Sequence, residues 1–192
     1  VAANSDRTSI ASLQHDKIAI SRMGSGSHLM AYINAQNQGW DTANLQFEII
    51  NNLDGAVENL TQGSGAYFMW EHFTTKPLVD KGIFKRVGDC PTPWPCFVIA
   101  ANNSFLQANE GLVKHILEVI NTYNVEFKQI PSIDRTLANR YEQQLEDIQQ
   151  WLSKTHWGQE QLSEKTVNEV QARLHDLNLI EKIQDASHFL WR

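Results

Sequence analysis

The sequence predicts an α/β fold, a mainly parallel sheet with flanking helices followed by a helical C-terminal region. Three observations predict it. Short apolar runs alternate with amphipathic segments from Lys17 to Ala101, glycines (Gly39, Gly63, Gly82) close the amphipathic segments, and no run of strand quality follows Ala101. Alternation of this kind lays strands parallel and joins them by right-handed crossovers that put helices on both faces.

The elements follow in order. Ser9 to Gln14 reads as a brief helical turn before a strand from Lys17 to Ser21, nearly all apolar and so suited to burial on both faces. After the loop Arg22-Met23-Gly24-Ser25-Gly26-Ser27, the residues Leu29, Met30, Ile33 and Ala35 mark a helix that ends near Gly39. Gln46 to Ile50 is a second strand, and Asn51-Asn52 opens a helix with Leu53, Ala56, Val57 and Leu60 on one face, stopped by Gly63. Ala66 to Trp70 is a third strand. Thr74-Thr75-Lys76-Pro77 then announces a helix with a Thr cap and an early Pro, ending at Gly82. Phe84 to Val87 and Phe97 to Ala101 read as two further strands around a proline-rich loop. Beyond Leu106 the periodicity is helical: Leu112, Ile116, Val119 and Ile120 form one stripe. Ser132 is placed to cap a helix carrying Leu137, Tyr141, Leu145, Ile148 and Trp151, and Thr166 with Glu169 to open a last helix by a capping box.

Bulk properties narrow the function. With 192 residues the chain can bury a real core, and 42% hydrophobic against 20% charged residues is the mix of a globular protein. A net charge of −6 without a Lys/Arg stripe argues against a nucleic-acid partner. No apolar run reaches the ~20 residues that span a bilayer, and no signal peptide is visible at the start. Cys90 and Cys96 flank Pro91, Pro93 and Pro95; a bridge requires that rigid segment to loop back, and two ordinary thiols are the simpler reading.

Strand, glycine loop and helix in succession suit an anion, because helix-start amides are unpaired and carry partial positive charge. Gly24 and Gly26 let the backbone approach a ligand, Ser25 and Ser27 add hydroxyls, and Arg22 adds a guanidinium. The bland alternative is a tight turn with a Ser cap. A nucleotide P-loop is excluded because Ser27-His28 stands where Lys-Ser/Thr is needed, and a dinucleotide fingerprint because Leu29 occupies the third glycine position. The third strand ends in Trp70-Glu71-His72, where open parallel sheets bind ligands. Glu71 reads as a hydrogen-bonding group, since no metal-ligand spacing accompanies it and His72, and Trp70 as either cleft or core. The loop Cys90 to Cys96 presents Thr92 and Trp94 rigidly, and nucleophilic catalysis by Cys96 would need a base that only tertiary coincidence could supply.

Together, Ser21-Arg22-Met23-Gly24-Ser25-Gly26-Ser27, Asn51-Asn52-Leu53-Asp54-Gly55-Ala56, Phe68-Met69-Trp70-Glu71 and Thr92-Pro93-Trp94-Pro95-Cys96-Phe97 resemble the type II periplasmic-binding-protein superfamily. The likeness is to the branch with nitrate, sulfonate/taurine and thiamine-precursor binding proteins, and most to an uncharacterised subfamily with bacterial and fungal members. It runs from Val1 to about Trp157. It implies two α/β lobes closing on one small ligand, with residues 1–104 as the second lobe and 105–192 as a helical region returning to the first. Such a first lobe ordinarily opens with about ninety residues of strand and helix, so the chain is expected to be a portion of a longer protein, with the apolar faces of the C-terminal helices left to pack against the second lobe or against a second copy of the chain. The resemblance implies ligand contacts from Arg22, Gly24, Ser25, Gly26 and Ser27, from Trp70 and Glu71, and more weakly from Asn51, Asn52, Thr92 and Trp94.

The expected function is that of a solute-binding protein for a small anionic or zwitterionic ligand, probing no chemistry and calling for no cofactor or metal, with an ABC permease as partner. The alternatives are an enzyme of thiamine-precursor type using Cys96 or Glu71, and a regulatory sensor, for which no DNA-binding segment is visible. A transport receptor would be periplasmic; the lack of a visible signal peptide leaves the cytoplasm open.

Overall fold

A computed structural model describes residues 1–95 and 97–191. The chain divides into two compact units, one of residues 1–93 with 170–183 and one of residues 94–169 with 184–192.

The first unit is built on a parallel sheet of β1 (Ile18–Ile20), β2 (Phe47–Ile49) and β3 (Tyr67–Phe68) in the order β2-β1-β3. Side chains alternate across a strand, so β1 feeds two cores. Ile18 and Ile20 join Leu13, Trp40 and Tyr67 with Ala31 and Ala35 of α1 (Gly26–Asn37). Ala19 joins Ile50 and Phe84 with Ala56 and Leu60 of α2 (Leu53–Gln62). The two helices therefore cover opposite faces, and a wholly apolar β1 is what burial from both sides requires. Along α1 the buried positions are His28, Ala31, Ile33, Asn34 and Ala35, with Leu29 and Met30 only half-buried. Two alanines let its backbone approach Ile18 and Ile20, so that of the expected stripe Ile33 and Ala35 are buried while Leu29 and Met30 turn partly aside.

Helix boundaries follow side-chain chemistry. Asn52 caps α2 by accepting from the Gly55 amide (2.9 Å), and Gly63 ends it in the left-handed conformation (φ 78°). Gly55 is required there for another reason: a Cβ at that position would run into the Ile50 carbonyl oxygen. Thr75, expected to cap α3 (Lys76–Asp80), instead turns its hydroxyl back to the carbonyls of Glu71 and His72 (both 3.1 Å) and makes no cap bond.

The two further strands do not form. Phe84 makes only an isolated antiparallel bridge with Ala2, and residues 85–95 carry Gly88 and three prolines, which withhold ladder donors. Phe97–Ala101 has no regular structure and is exposed throughout.

The second unit is helical: α4 (Asn103–Ala108), α5 (Glu110–Glu126), α6 (Ile133–Tyr141), α7 (Leu145–Lys154) and the first turns of α8 (Glu164–Asp176). Leu137 and Ala138 of α6 pack on Ile148 of α7, with Phe127, Trp151 and Leu152 around them. The single helix expected from Ser132 to Trp151 is broken in two, because Glu142 takes a left-handed conformation (φ 51°) and closes α6. That break folds Leu137 onto Ile148. Ser132 itself is left-handed (φ 58°) and caps nothing with its side chain. The last helix starts two residues before Thr166; Ser163 accepts from the Thr166 amide (3.1 Å), and Glu169 reaches towards Lys165 (3.8 Å) instead of back to a cap.

Candidate functional site

A sheet with strand order β2-β1-β3 and helices on opposite faces has its switch point at the carboxyl ends of β1 and β3, where the chain winds first one way and then the other and where open sheets of this kind bind ligands. The strands deliver three groups of residues to that edge: Ser21 to Ser27 after β1, Asn51 and Asn52 after β2, and Trp70 and Glu71 after β3. The Asn51 amide donates to the Ser21 carbonyl (3.1 Å), which ties the first two strand ends together. Asn51 sits at φ 63°, a left-handed conformation that Asn tolerates better than most residues.

The glycine loop is held by its own side chains. Gly24 takes φ 73° so that the Ser25 amide can return to the Arg22 carbonyl (3.2 Å). Ser25 is buried at the cap of α1 and accepts from the His28 amide (3.2 Å). Ser27 accepts from the Ser21 amide (3.0 Å) and shares hydrogen bonds with the Ser25 (2.9 Å) and Ser21 (3.3 Å) hydroxyls. Each hydroxyl has one proton. Three protons serve two oxygen–oxygen contacts, so one is left for a ligand. The Gly24 amide donates to Nδ1 of His28 (3.1 Å), whereas the Gly26 and Ser27 amides have no acceptor among the described residues. Arg22 is exposed, and no carboxylate pairs with it among the described residues. Two open amides at the start of a twelve-residue helix, preceded in the same loop by the exposed Arg22, favour a small anion.

Sequence reasoning gives His28 no role in holding the loop; in the P-loop comparison it stands at the Ser/Thr position, with Ser27 at the lysine. It is 3% exposed, and burial pushes its imidazole below the usual histidine range. Because Nδ1 accepts from Gly24, the proton sits on Nε2, which has no hydrogen-bond partner. The ring meets Tyr32 and Phe47 edge to face, with centroids 5.2 and 4.8 Å away. A neutral histidine thus holds the loop from behind without adding charge.

After β3, Trp70 is 37% exposed and leans on Phe68 (6.1 Å between centroids). Glu71 accepts through Oε2 from the Thr74 amide (2.6 Å) and hydroxyl (2.7 Å), fixing the turn that leads to α3. His72 lies between Asp89 (Nδ1 to Oδ1, 3.1 Å) and Arg86 (Nε2 to Nη1, 2.9 Å), and Arg86 also donates to the His72 carbonyl (2.9 Å). A guanidinium only donates. Nε2 of His72 is therefore the acceptor, and Nδ1–H faces Asp89. Nothing in the spacing of Arg86 and Asp89 foretold this bracing, since they are separated from His72 by a helix. No group of three or more His, Cys, Asp or Glu is gathered among the described residues.

Thr92 is exposed at the end of the first unit, and Trp94 falls in the second. Cys90 is a half-buried thiol, raised above the ordinary thiol range by burial, with the Asn37 amide 3.9 Å from Sγ. Cys96, and with it the bridge and nucleophile considered for it, lies outside the described residues. A concavity of about 350 Å³ lined by Gln14, Asp16, Trp40 and Gln46 lies at the opposite, amino edge of the strands. No helix among the described residues is long and apolar enough to cross a membrane.

Residues 1–90 match the model of a family described as Ca3427-like PBP. No curated protein matches the chain. Among solved structures, the Candida albicans CA3427 gene product, described as having the generic periplasmic-binding-protein fold, is similar with a TM-score of 0.80 and 24% identity over 97% of this chain. The alkanesulfonate-binding protein SsuA from Xanthomonas axonopodis pv. citri, solved with MOPS, is similar with a TM-score of 0.75 and 16% identity over the whole chain. The aliphatic sulphonate-binding SsuA of Escherichia coli follows with a TM-score of 0.63 and 17% identity, again over the whole chain. This chain spans 63%, 68% and 64% of the length of those three proteins, respectively.

Proposed function

From a chain with the fold of the type II periplasmic binding proteins, we propose that it binds a small anionic or zwitterionic solute at the start of α1, without chemical conversion, as part of the receptor for an ABC-type importer working in the periplasm. The observation that carries this reading is the pair of open amides at Gly26 and Ser27, in the same loop as the exposed Arg22 and at the carboxyl strand ends where the winding of the sheet reverses. The amides and the spare hydroxyl proton of the Ser21/Ser25/Ser27 group hold the anion, Arg22 balances its charge, and Trp70 covers an apolar portion. Asn51, Asn52, Glu71 and Thr92 are secondary contacts in this reading. A sulfonate fits the donor set, with three oxygens for two amides, a hydroxyl and a guanidinium; the sulfonate-binding proteins of similar fold support the same class.

Calorimetry against sulfonates, phosphates and carboxylates tests the proposal. Saturable binding of one anion class, weakened about tenfold or more by Arg22→Ala through loss of a charge-assisted hydrogen bond, is the expected result. Absence of binding by the protein with both lobes present would overturn it.

A further inference from the structure

The turn between β3 and α3 is tied to a second segment of the first unit. That segment is itself anchored: Phe84 bridges Ala2, the Lys85 amide donates to the Val1 carbonyl (3.0 Å), and Lys85 Nζ donates to the Ser5 carbonyl. Arg86, next in the chain, reaches the turn and makes two bonds there, Nη1 to Nε2 of His72 and Nη2 to the His72 carbonyl (both 2.9 Å). The Thr75 hydroxyl gathers the carbonyls of Glu71 and His72, and the Glu71 carboxylate gathers Thr74. One guanidinium thus fastens residues 70–75, with Trp70 and Glu71 among them, to a fixed support.

The fastening works in one protonation state of one ring. Nε2 of His72 accepts from Arg86 only while it carries no proton, with Nδ1–H turned to Asp89 (3.1 Å). A second proton goes to Nε2. It removes the acceptor and sets two positive charges 2.9 Å apart where a hydrogen bond stood. The carboxylate of Asp89, 62% exposed, offsets one of them in part, and the ring is 34% exposed, so the proton arrives without unfolding. The other charges nearby are engaged elsewhere: Glu71 with Thr74, Lys76 with Asp80 (2.6 Å) and Lys85 with Ser5. The Phe73 ring, 4.8 Å away between centroids, carries none. We propose that the Arg86–His72–Asp89 brace is a pH-operated latch: neutral His72 holds Arg86 and so fixes Trp70 and Glu71 at the strand ends, and protonated His72 expels Arg86 and frees them. Its effect on ligand binding rests on the anion reading above; the latch itself does not.

The test follows the nitrogen-15-labelled chain by nuclear magnetic resonance from about pH 8 to about pH 5, the range in which histidines titrate, reading the His72 ring nitrogens, the Trp70 indole N–H and the Thr74 amide. Trp70 and Thr74 should shift with the midpoint of His72. Arg86→Gln, which removes the expelled charge, should leave His72 titrating and abolish the step at Trp70 and Thr74. Asp89→Asn, at an exposed position, should move the shared midpoint about 0.5 lower in pH, and it carries the test alone if circular dichroism shows that Arg86→Gln does not fold. Butanesulfonate, whose charge is constant over this range, should bind about fivefold or more weakly at the acid end, and not so in Arg86→Gln. That fall is opposite in sign to what added positive charge does for an anion. Trp70 and Thr74 that stay still while His72 titrates, or a midpoint that Asp89→Asn leaves in place, would overturn the latch. Butanesulfonate held equally well at both ends would overturn its coupling to the site. The step with no butanesulfonate bound at any pH would uphold the latch and count against the anion reading alone.

Discussion

Ile18-Ala19-Ile20 and Phe97-Val98-Ile99 carry the same signal in the sequence, three consecutive apolar residues with a β-branched preference, and meet opposite fates. The first three are 1%, 0% and 0% exposed, paired on both sides and packed under a helix on each face; the second three are 93%, 62% and 64% exposed and pair with nothing described. An apolar run states what a segment can do in a sheet. Whether it becomes a strand depends on partners elsewhere in the chain or in another one, which local periodicity does not encode.

That difference has measurable consequences. The largest is in core truncation: Ile20→Ala removes a fully buried side chain from beneath α1 and should cost about 2–5 kcal/mol, whereas Ile99→Ala in the chain alone should stay within about 0.5 kcal/mol. Urea unfolding followed by circular dichroism reads both, and equal losses would erase the contrast. Next is Gly55→Ala, whose added methyl meets the Ile50 carbonyl at the start of α2; a loss of about 1–3 kcal/mol is expected from overpacking, against a small change for the same substitution at Gly111, where a Cβ meets nothing.

Capping gives a smaller contrast. Asn52→Ala removes a 2.9 Å cap bond from α2 and should cost about 1 kcal/mol. Ser132→Ala at the start of α6 removes no cap bond and should cost less. The smallest effect is a pH dependence from His28, whose folded pKa lies below its ordinary value of 6.5. The unfolded chain takes up the proton first, so the stability His28 contributes is complete above 6.5 and is lost as pH falls from there towards the folded pKa. A His28→Phe variant should flatten that part of the stability curve; an unchanged slope would show that the titrating group lies elsewhere.

Much of the first unit was legible because its signals are local. The three strands, the left-handed glycines after α1 and α2, and the Asn52 cap each follow from the residues at the spot. The failures share a cause. Thr75, Ser132 and Thr166 are plausible caps by residue type, yet a hydroxyl also satisfies itself on nearby carbonyls or neighbours, and the choice is made by turn geometry. The break at Glu142 carries no glycine or proline, and what accompanies it, Leu137 meeting Ile148 across the turn, is a contact between elements that local periodicity does not mark. At the candidate site, the placing of the glycine loop between β1 and α1 was legible from strand, loop and helix in succession. The internal bonding of Ser25 and Ser27, the neutral His28 behind them, and the Arg86–His72–Asp89 brace were not, because each joins side chains whose proximity the fold creates.

The central claim is that the start of α1 holds an anion, and the most direct measurement is a nuclear magnetic resonance titration of the nitrogen-15-labelled chain with methanesulfonate and, separately, sulfate, phosphate and acetate. At least one of these should shift the Gly26 and Ser27 amides saturably, with a weaker response in Arg22→Ala. Shifts scattered over the lysines, or none at Gly26 and Ser27 up to the solubility of every anion, would contradict it.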